Sequence, residues 1–192
     1  MIKLFGLFLI FSISFASAKN VDSLQVYSWE EAQKINPLEV FAISFQKSKL
    51  TEVPAELEKY KALIYLDLSK NKLNSLPDFI ADFDSLQTLN LHKNNFHNFP
   101  MQICRMGNIQ KLILSRNSFS QLPECIEFLK KLAYIDLSDT PVTSFPQAFL
   151  VMPQLKTLSL HGLAYSPSFQ KSWKERLNWM RIEFDPPCNC FD

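Results

Sequence analysis

His92, His97 and His161 are the only histidines, and Cys104, Cys125, Cys188 and Cys190 the only cysteines, in a chain of 192 residues. General-base catalysis, metal ligation and thiol chemistry would have to draw on them, together with paired carboxylates. Their spacing argues against convergence. His92 and His161 lie three steps apart in a pattern that recurs every 23 residues. If each step is one strand of a stack, they are about 14 Å apart, beyond the reach of a single metal ion. His97 falls on another edge of its unit. Asp67 and Asp136 also share one position three steps apart, too far for paired acid/base work. No HExxH, P-loop or GxGxxG pattern occurs. The chain is therefore expected to be no enzyme, with no catalytic residue, no metal and no cofactor.

The cysteines leave more open. An even count permits three disulfide pairings in a secreted chain. Cys104 and Cys125 fall on neighbouring units of the outer face, offset by two positions, so their separation is not fixed by the pattern. Cys188-Asn189-Cys190 fits a local disulfide, a metal pair, a redox site or two packed thiols. A zinc site would need two further ligands at suitable spacing, which disfavours metal. A thiol redox or metal function at Cys188 and Cys190 stands as a rival to a purely binding role.

The elements that must position these groups come from the repeat. LIYLDLSKNKLNSLP (63–77) is followed by LQTLNLHKNNFHNFP (86–100) and IQKLILSRNSFSQLP (109–123). Units start at Val40, Leu63, Leu86, Ile109, Leu132 and Leu155. In the five complete units, positions 1, 4, 6, 11, 14, 18 and 21 are apolar without exception. Positions 4 and 6 alternate with polar neighbours, the period of a half-buried strand. The later apolar spacing predicts a helical or near-helical turn on the return path. Pro54, Pro77, Pro100, Pro123 and Pro146 all stand at position 15, where a fixed φ and a missing donor suit entry to such a turn. One unit cannot bury its own apolar edge, so the units must stack.

Over residues 40–162 the chain resembles the leucine-rich repeat family in its LxxLxLxxNxLxxLPxxIxxL form, most closely small secreted bacterial members with 23-residue units. The resemblance implies an α/β solenoid: a curved right-handed superhelix with a parallel β-sheet on the concave face and helical N- and C-terminal caps. It also implies a structural ladder at position 9, where Asn71, Asn94 and Asn117 turn inward to satisfy backbone groups of adjacent coils. Ser48, Thr140 and Leu163 occupy the same position at the ends.

The expected organisation is a signal peptide at 1–18, an N-terminal helical cap at 19–39, repeats at 40–162, and a C-terminal cap with a helix and a final half-repeat at 163–192. The leader has Lys3, an apolar run from Leu4 to Phe15, and Ala16-Ser17-Ala18 as a small-residue cleavage site. An extracytoplasmic location follows: secreted, periplasmic or cell-surface. Ser28 to Glu31 has capping-box spacing, predicting a helix over 28–35. Helical periodicity runs from Ser168 to Met180, and Trp179, Ile182 and Phe184 repeat the 1, 4, 6 pattern one residue late. No N-x-Ser/Thr sequon occurs, which favours a bacterial source.

A net charge of +1 gives no reason to expect nucleic acid or an anionic membrane as partner. No stable membrane insertion is expected after leader cleavage, and a monomer is expected. Positions 3, 5 and 7 should project from the concave face. They place Tyr65, Asp67, Thr88, Asn90, His92, Lys111, Ile113, Tyr134 and Asp136 where a protein ligand would sit. The row Lys47, Lys70, Lys93 and Arg116 at position 8 reads first as a solvated edge and second as an attraction for an acidic partner. A structural envelope or matrix component is the other alternative to a ligand-binding module.

Overall fold

The structure, a computed structural model, describes residues 23–186. The leader and the Cys188-x-Cys190 pair lie outside those residues. Eight parallel strands form one sheet in strict chain order. They are β1 (Tyr27–Ser28), β2 (Ala42–Ser44), β3 (Tyr65–Asp67), β4 (Thr88–Asn90), β5 (Lys111–Ile113), β6 (Tyr134–Asp136), β7 (Thr157–Leu160) and β8 (Arg181–Phe184). The pairing keeps the repeat register: Asp67 faces Asn90, Asn90 faces Ile113, and Ile113 faces Asp136.

The return path is made of five-residue 3-10 helices: Ala55–Lys59, Asp78–Asp82, Met101–Arg105, Glu124–Phe128 and Gln147–Val151. Each is preceded by its position-15 proline, whose φ lies between −58° and −77°. A 3-10 turn rises about 2.0 Å per residue against 1.5 Å for an α-helix, so a short return segment spans the coil's width with few residues. Only the caps are α-helical.

The apolar positions fill the interior. Of the seven positions in each complete unit, every residue is buried except Leu50, which is half-buried and packed against the core. Phe45, Phe83, Phe96, Phe119 and Phe149 are its largest fully buried side chains. Burying each such group contributes about 1.5–3 kcal/mol, so coils that bury nothing alone become stable together.

Polar bonds join successive coils through position 9. Asn94 Nδ2 donates to Leu68 O and Leu91 O, both at 3.0 Å, while Asn94 Oδ1 accepts from Leu73 N at 3.0 Å. Asn71 donates to Phe45 O and Leu68 O and accepts from Leu50 N. Asn117 donates to Leu91 O and Leu114 O and accepts from Phe96 N. Thr140 continues the ladder with a hydroxyl donated to Leu114 O at 3.2 Å. On the convex side the Cys104–Cys125 disulfide joins neighbouring 3-10 turns with a Cα–Cα distance of 5.6 Å.

Each end has a lid. Helix α1 (Trp29–Ala32) starts with a capping box: Ser28 Oγ accepts from Glu31 N, and the Glu31 carboxylate accepts from Ser28 N at 2.8 Å. Trp29 packs on Phe45 and Tyr60 at centroid distances of 5.1 and 5.5 Å. The helix is shorter than the 28–35 span expected, and β1 before it adds a strand that the sequence pattern does not announce. At the other end α2 (Pro167–Arg176) begins at Ser166, whose Oγ accepts from Phe169 N. Phe169 and Trp173 of this helix join Phe145, Tyr165 and Phe184 in a continuous aromatic cluster. The final half-coil keeps the expected one-residue delay at positions 4 and 6, where Ile182 pairs with Leu158 and Phe184 with Leu160, but at position 1 Trp179 is 37% exposed and Met180 is buried instead.

Candidate binding face

The strands position the concave columns, but those columns are not uniformly available. Asp67 and Thr88 are each 5% exposed. Tyr65, Asn90, His92, Ile113, Tyr134 and Asp136 are half-buried, and Lys111 is exposed. Asp67 and Thr88 therefore shape the face from below and offer little surface to a ligand.

Position 5 has a second task that the residue types conceal. Asp67 Oδ1 accepts from Ser69 N at 2.8 Å, Asn90 Oδ1 from His92 N at 3.0 Å, and Asp136 Oδ1 from Ser138 N at 2.9 Å. Ser44 does the same for Gln46 N with its hydroxyl. Each side chain tethers the amide two residues on, where the strand bends away. Such local bonds are characteristic of short polar side chains in turns. Ile113 breaks the series. It has no acceptor, and it puts an apolar surface between Asn90 and Asp136.

The groups around Ile113 are tied down. The Lys111 ammonium lies 5.2 Å from the Tyr134 ring centroid, a cation–π contact. His92 Nδ1 is 2.8 Å from Ser115 Oγ on the next coil. Burial, reinforced by Arg116, Lys70 and Lys93 and opposed by Asp136, holds the His92 imidazole below its ordinary range. Burial raises the Tyr65 phenol to about 12, with the Asp67 carboxylate adding to it. Tyr134 is raised by burial first and by Asp136 second. These phenols stay neutral and act as amphipathic contact surface.

At position 8 the backbone is left-handed in every coil: Lys47, Lys70, Lys93, Arg116 and Asp139 have φ between 53° and 61°, and Gly162 has φ 85°. The conformation is held by the strand ladder. Lys70 N donates to His92 O at 2.7 Å, Lys93 N to Ser115 O at 2.8 Å, and Arg116 N to Ser138 O at 2.9 Å. The backbone is locked and the side chains point off the rim. Nothing in the sequence discloses this, because lysine and arginine carry no left-handed signal.

No group of three metal-ligating side chains comes together among the described residues. Near the C-terminal end His161 Nδ1 sits 3.0 Å from Asp185, and Asp185 also accepts from Gly162 N, which lowers its pKa. This arrangement closes the last turn of the sheet edge. Among the described residues no helix is long and apolar enough to cross a membrane.

An open parallel sheet of stacked, asparagine-laddered coils defines the class as a leucine-rich solenoid. The profile of the leucine rich repeat family matches residues 39–96. Among solved structures 323 chains match significantly, so the likeness is to a widely shared fold. One of them is a leucine-rich repeat protein of Leptospira interrogans, with a TM-score of 0.53 and 21% identity. The alignment covers 84% of this chain and 53% of that one, so this chain spans about half its length. No curated protein matches significantly. Residues 39–96 thus match the leucine-rich repeat family, and the fold is that of a leucine-rich repeat solenoid.

Proposed function

We propose that the protein is an extracytoplasmic, non-catalytic module that holds a protein ligand on its concave face. The observation that carries this reading is the centre of that face. Ile113 interrupts a column of polar tethers, with the Lys111–Tyr134 pair on one side and His92 on the other. An apolar spot ringed by aromatic and polar groups is the usual anatomy of a binding centre. Placement outside the cytoplasm is supported by the apolar leader and by the Cys104–Cys125 disulfide, since such bonds persist in oxidising compartments.

The test is affinity capture from envelope and neighbouring-cell extracts with the wild-type protein and with Ile113→Asp/Tyr134→Ala, whose fold is checked by circular dichroism. A partner held by the first and released by the second supports the reading. Identical captures by both overturn it.

A further inference from the structure

The left-handed row carries a charge pattern of its own. Lys47, Lys70 and Lys93 are exposed and, among the described residues, none of them makes an ion pair. Lys49 and Lys72, two residues beyond the first two, are exposed on the same edge and also unpaired. The next coil ends the run, because Arg116 Nε is bound to Asp139 Oδ2 at 2.9 Å. The first three coils thus present an unneutralised cationic ridge beside the concave face, and the later coils do not.

This ridge is not the cheapest way to build the turn. A non-glycine residue in the left-handed region costs roughly 1–2 kcal/mol, and Asn or Gly relieves most of that. The sixth coil does use Gly162 there. Four successive long cations in that conformation give up stability, and strain of this kind clusters where a surface is used.

We propose, resting on the concave-face reading above, that this ridge seats an acidic α-helix of the protein ligand. Spacing favours a helix. The ridge advances by one strand spacing per lysine, about 4.8 Å. A helix with one carboxylate per turn advances about 5.4 Å, a mismatch near 0.6 Å per step that a lysine side chain absorbs. An extended strand places same-face groups about 6.6–6.8 Å apart and loses register at about 2 Å per step. A long uniform polyanion fits poorly, because the same face ends in Asp136, Asp139, Glu183 and Asp185. A second copy of this chain fits poorly too. Its longer helix, Pro167–Arg176, carries Glu175 as its single acid beside Lys171, Lys174 and Arg176, and the carboxylates at the C-terminal end are already held: Asp139 by Arg116, Glu183 by Arg181, and Asp185 by His161 and Gly162 N.

The purified protein is titrated with a fluorescein-labelled, lactam-constrained helical peptide bearing one Glu per turn on a single face. A second peptide has the same composition with its Glu residues scattered around the helix, and polygalacturonate serves as a purely anionic chain. Lys47→Gln/Lys70→Gln/Lys93→Gln removes the ridge. Lys34→Gln/Lys59→Gln/Lys130→Gln removes the same charge from exposed sites elsewhere. The single-face peptide is expected to bind at least tenfold more tightly than its isomer. It should lose at least tenfold with the ridge variant and keep its affinity with the control, and it should raise the His92 titration midpoint on binding. Absence of binding, equal binding of the two peptides, equal loss in both variants or tighter binding of polygalacturonate would each overturn the helix. A partner that leaves Ile113→Asp/Tyr134→Ala but stays on the ridge variant would overturn the ridge and leave the concave face standing.

Discussion

Asn94 Nδ2 reaches back a full coil to Leu68 O at 3.0 Å, with the donor side chain 7% exposed. A second bond to Leu91 O and one accepted from Leu73 N use three of the amide's hydrogen-bonding sites at once. Removing it leaves the Leu73 amide without its acceptor and takes one of two donors from each of Leu68 O and Leu91 O, which Asn71 and Asn117 still reach. Asn94→Ala is expected to cost roughly 1–3 kcal/mol. In a chain of this size that lowers the melting temperature by roughly 3–10 °C, measured by calorimetry. Asn94→Thr should cost less, because Thr140 shows that a hydroxyl can keep one rung. A melt unchanged in Asn94→Ala would mean that the ladder bears no weight.

The left-handed row predicts a gain. Lys93→Asn replaces a strained lysine with a residue that, among those bearing a side chain, tolerates φ near 55° well. It is expected to stabilise the fold by about 0.5–1 kcal/mol, and Lys93→Val to destabilise it by more, since a β-branched side chain clashes there. Urea unfolding of both variants reads this directly. If Lys93→Asn is no more stable than wild type, the strain is already relieved by the amide ladder.

His92 predicts a pH dependence. Its folded-state pKa lies below 6.5 because of burial first and the Arg116 charge next. The unfolded chain therefore takes up the proton first. The contribution to stability is complete above pH 6.5 and declines as pH falls from there to the folded pKa. His92→Gln should flatten this part of the profile. Arg116→Gln should move the His92 midpoint upward in an NMR titration. A midpoint above 6.5 in the wild type would contradict the field assigned to the row.

The disulfide predicts a response to reductant. Cys104 and Cys125 close a loop with a sequence separation of 21. The chain-entropy relation assigns about 3 kcal/mol to a loop of that length. Cys104→Ser/Cys125→Ser should lose about that much, and reductant should lower the wild-type melting temperature without affecting the variant. Equal responses in both would remove the bond from the stability of the fold.

Much of the scaffold is legible in the chain because one constraint repeats. A coil that cannot bury Leu66 and Leu68 alone must show apolar residues at the same places in the next coil, as Leu89 and Leu91 do. The face is less legible because residue type underdetermines what a side chain does there. Asp67 reads like a ligand contact, yet it is buried and tethers Ser69 N. Asp136 plays the same tethering part, and Ile113 stands out only once those tethers are seen. The left-handed row is silent in the sequence for a related reason: its conformation is imposed by the next coil's carbonyls and not by Lys70 or Lys93 themselves. At the C-terminal end the 24-residue step is legible and Ile182 and Phe184 take their places, yet Trp179 turns outward and Met180 inward, which the pattern cannot tell apart because both residues are apolar. β1 is two residues long and leaves no periodic trace.

The Cys104–Cys125 bond also governs how the molecule behaves under load. A stack held by contacts between neighbours peels from its ends, one coil after another. Pulled by both termini, this chain pays out from each side until tension reaches the third and fourth coils, and there it meets a covalent rivet. The shielded loop never joins the extending thread, so full extension falls short by about 70 Å in oxidising surroundings. Reductant returns that length, and a pulling experiment would register the redox state of one bond as a change in reach.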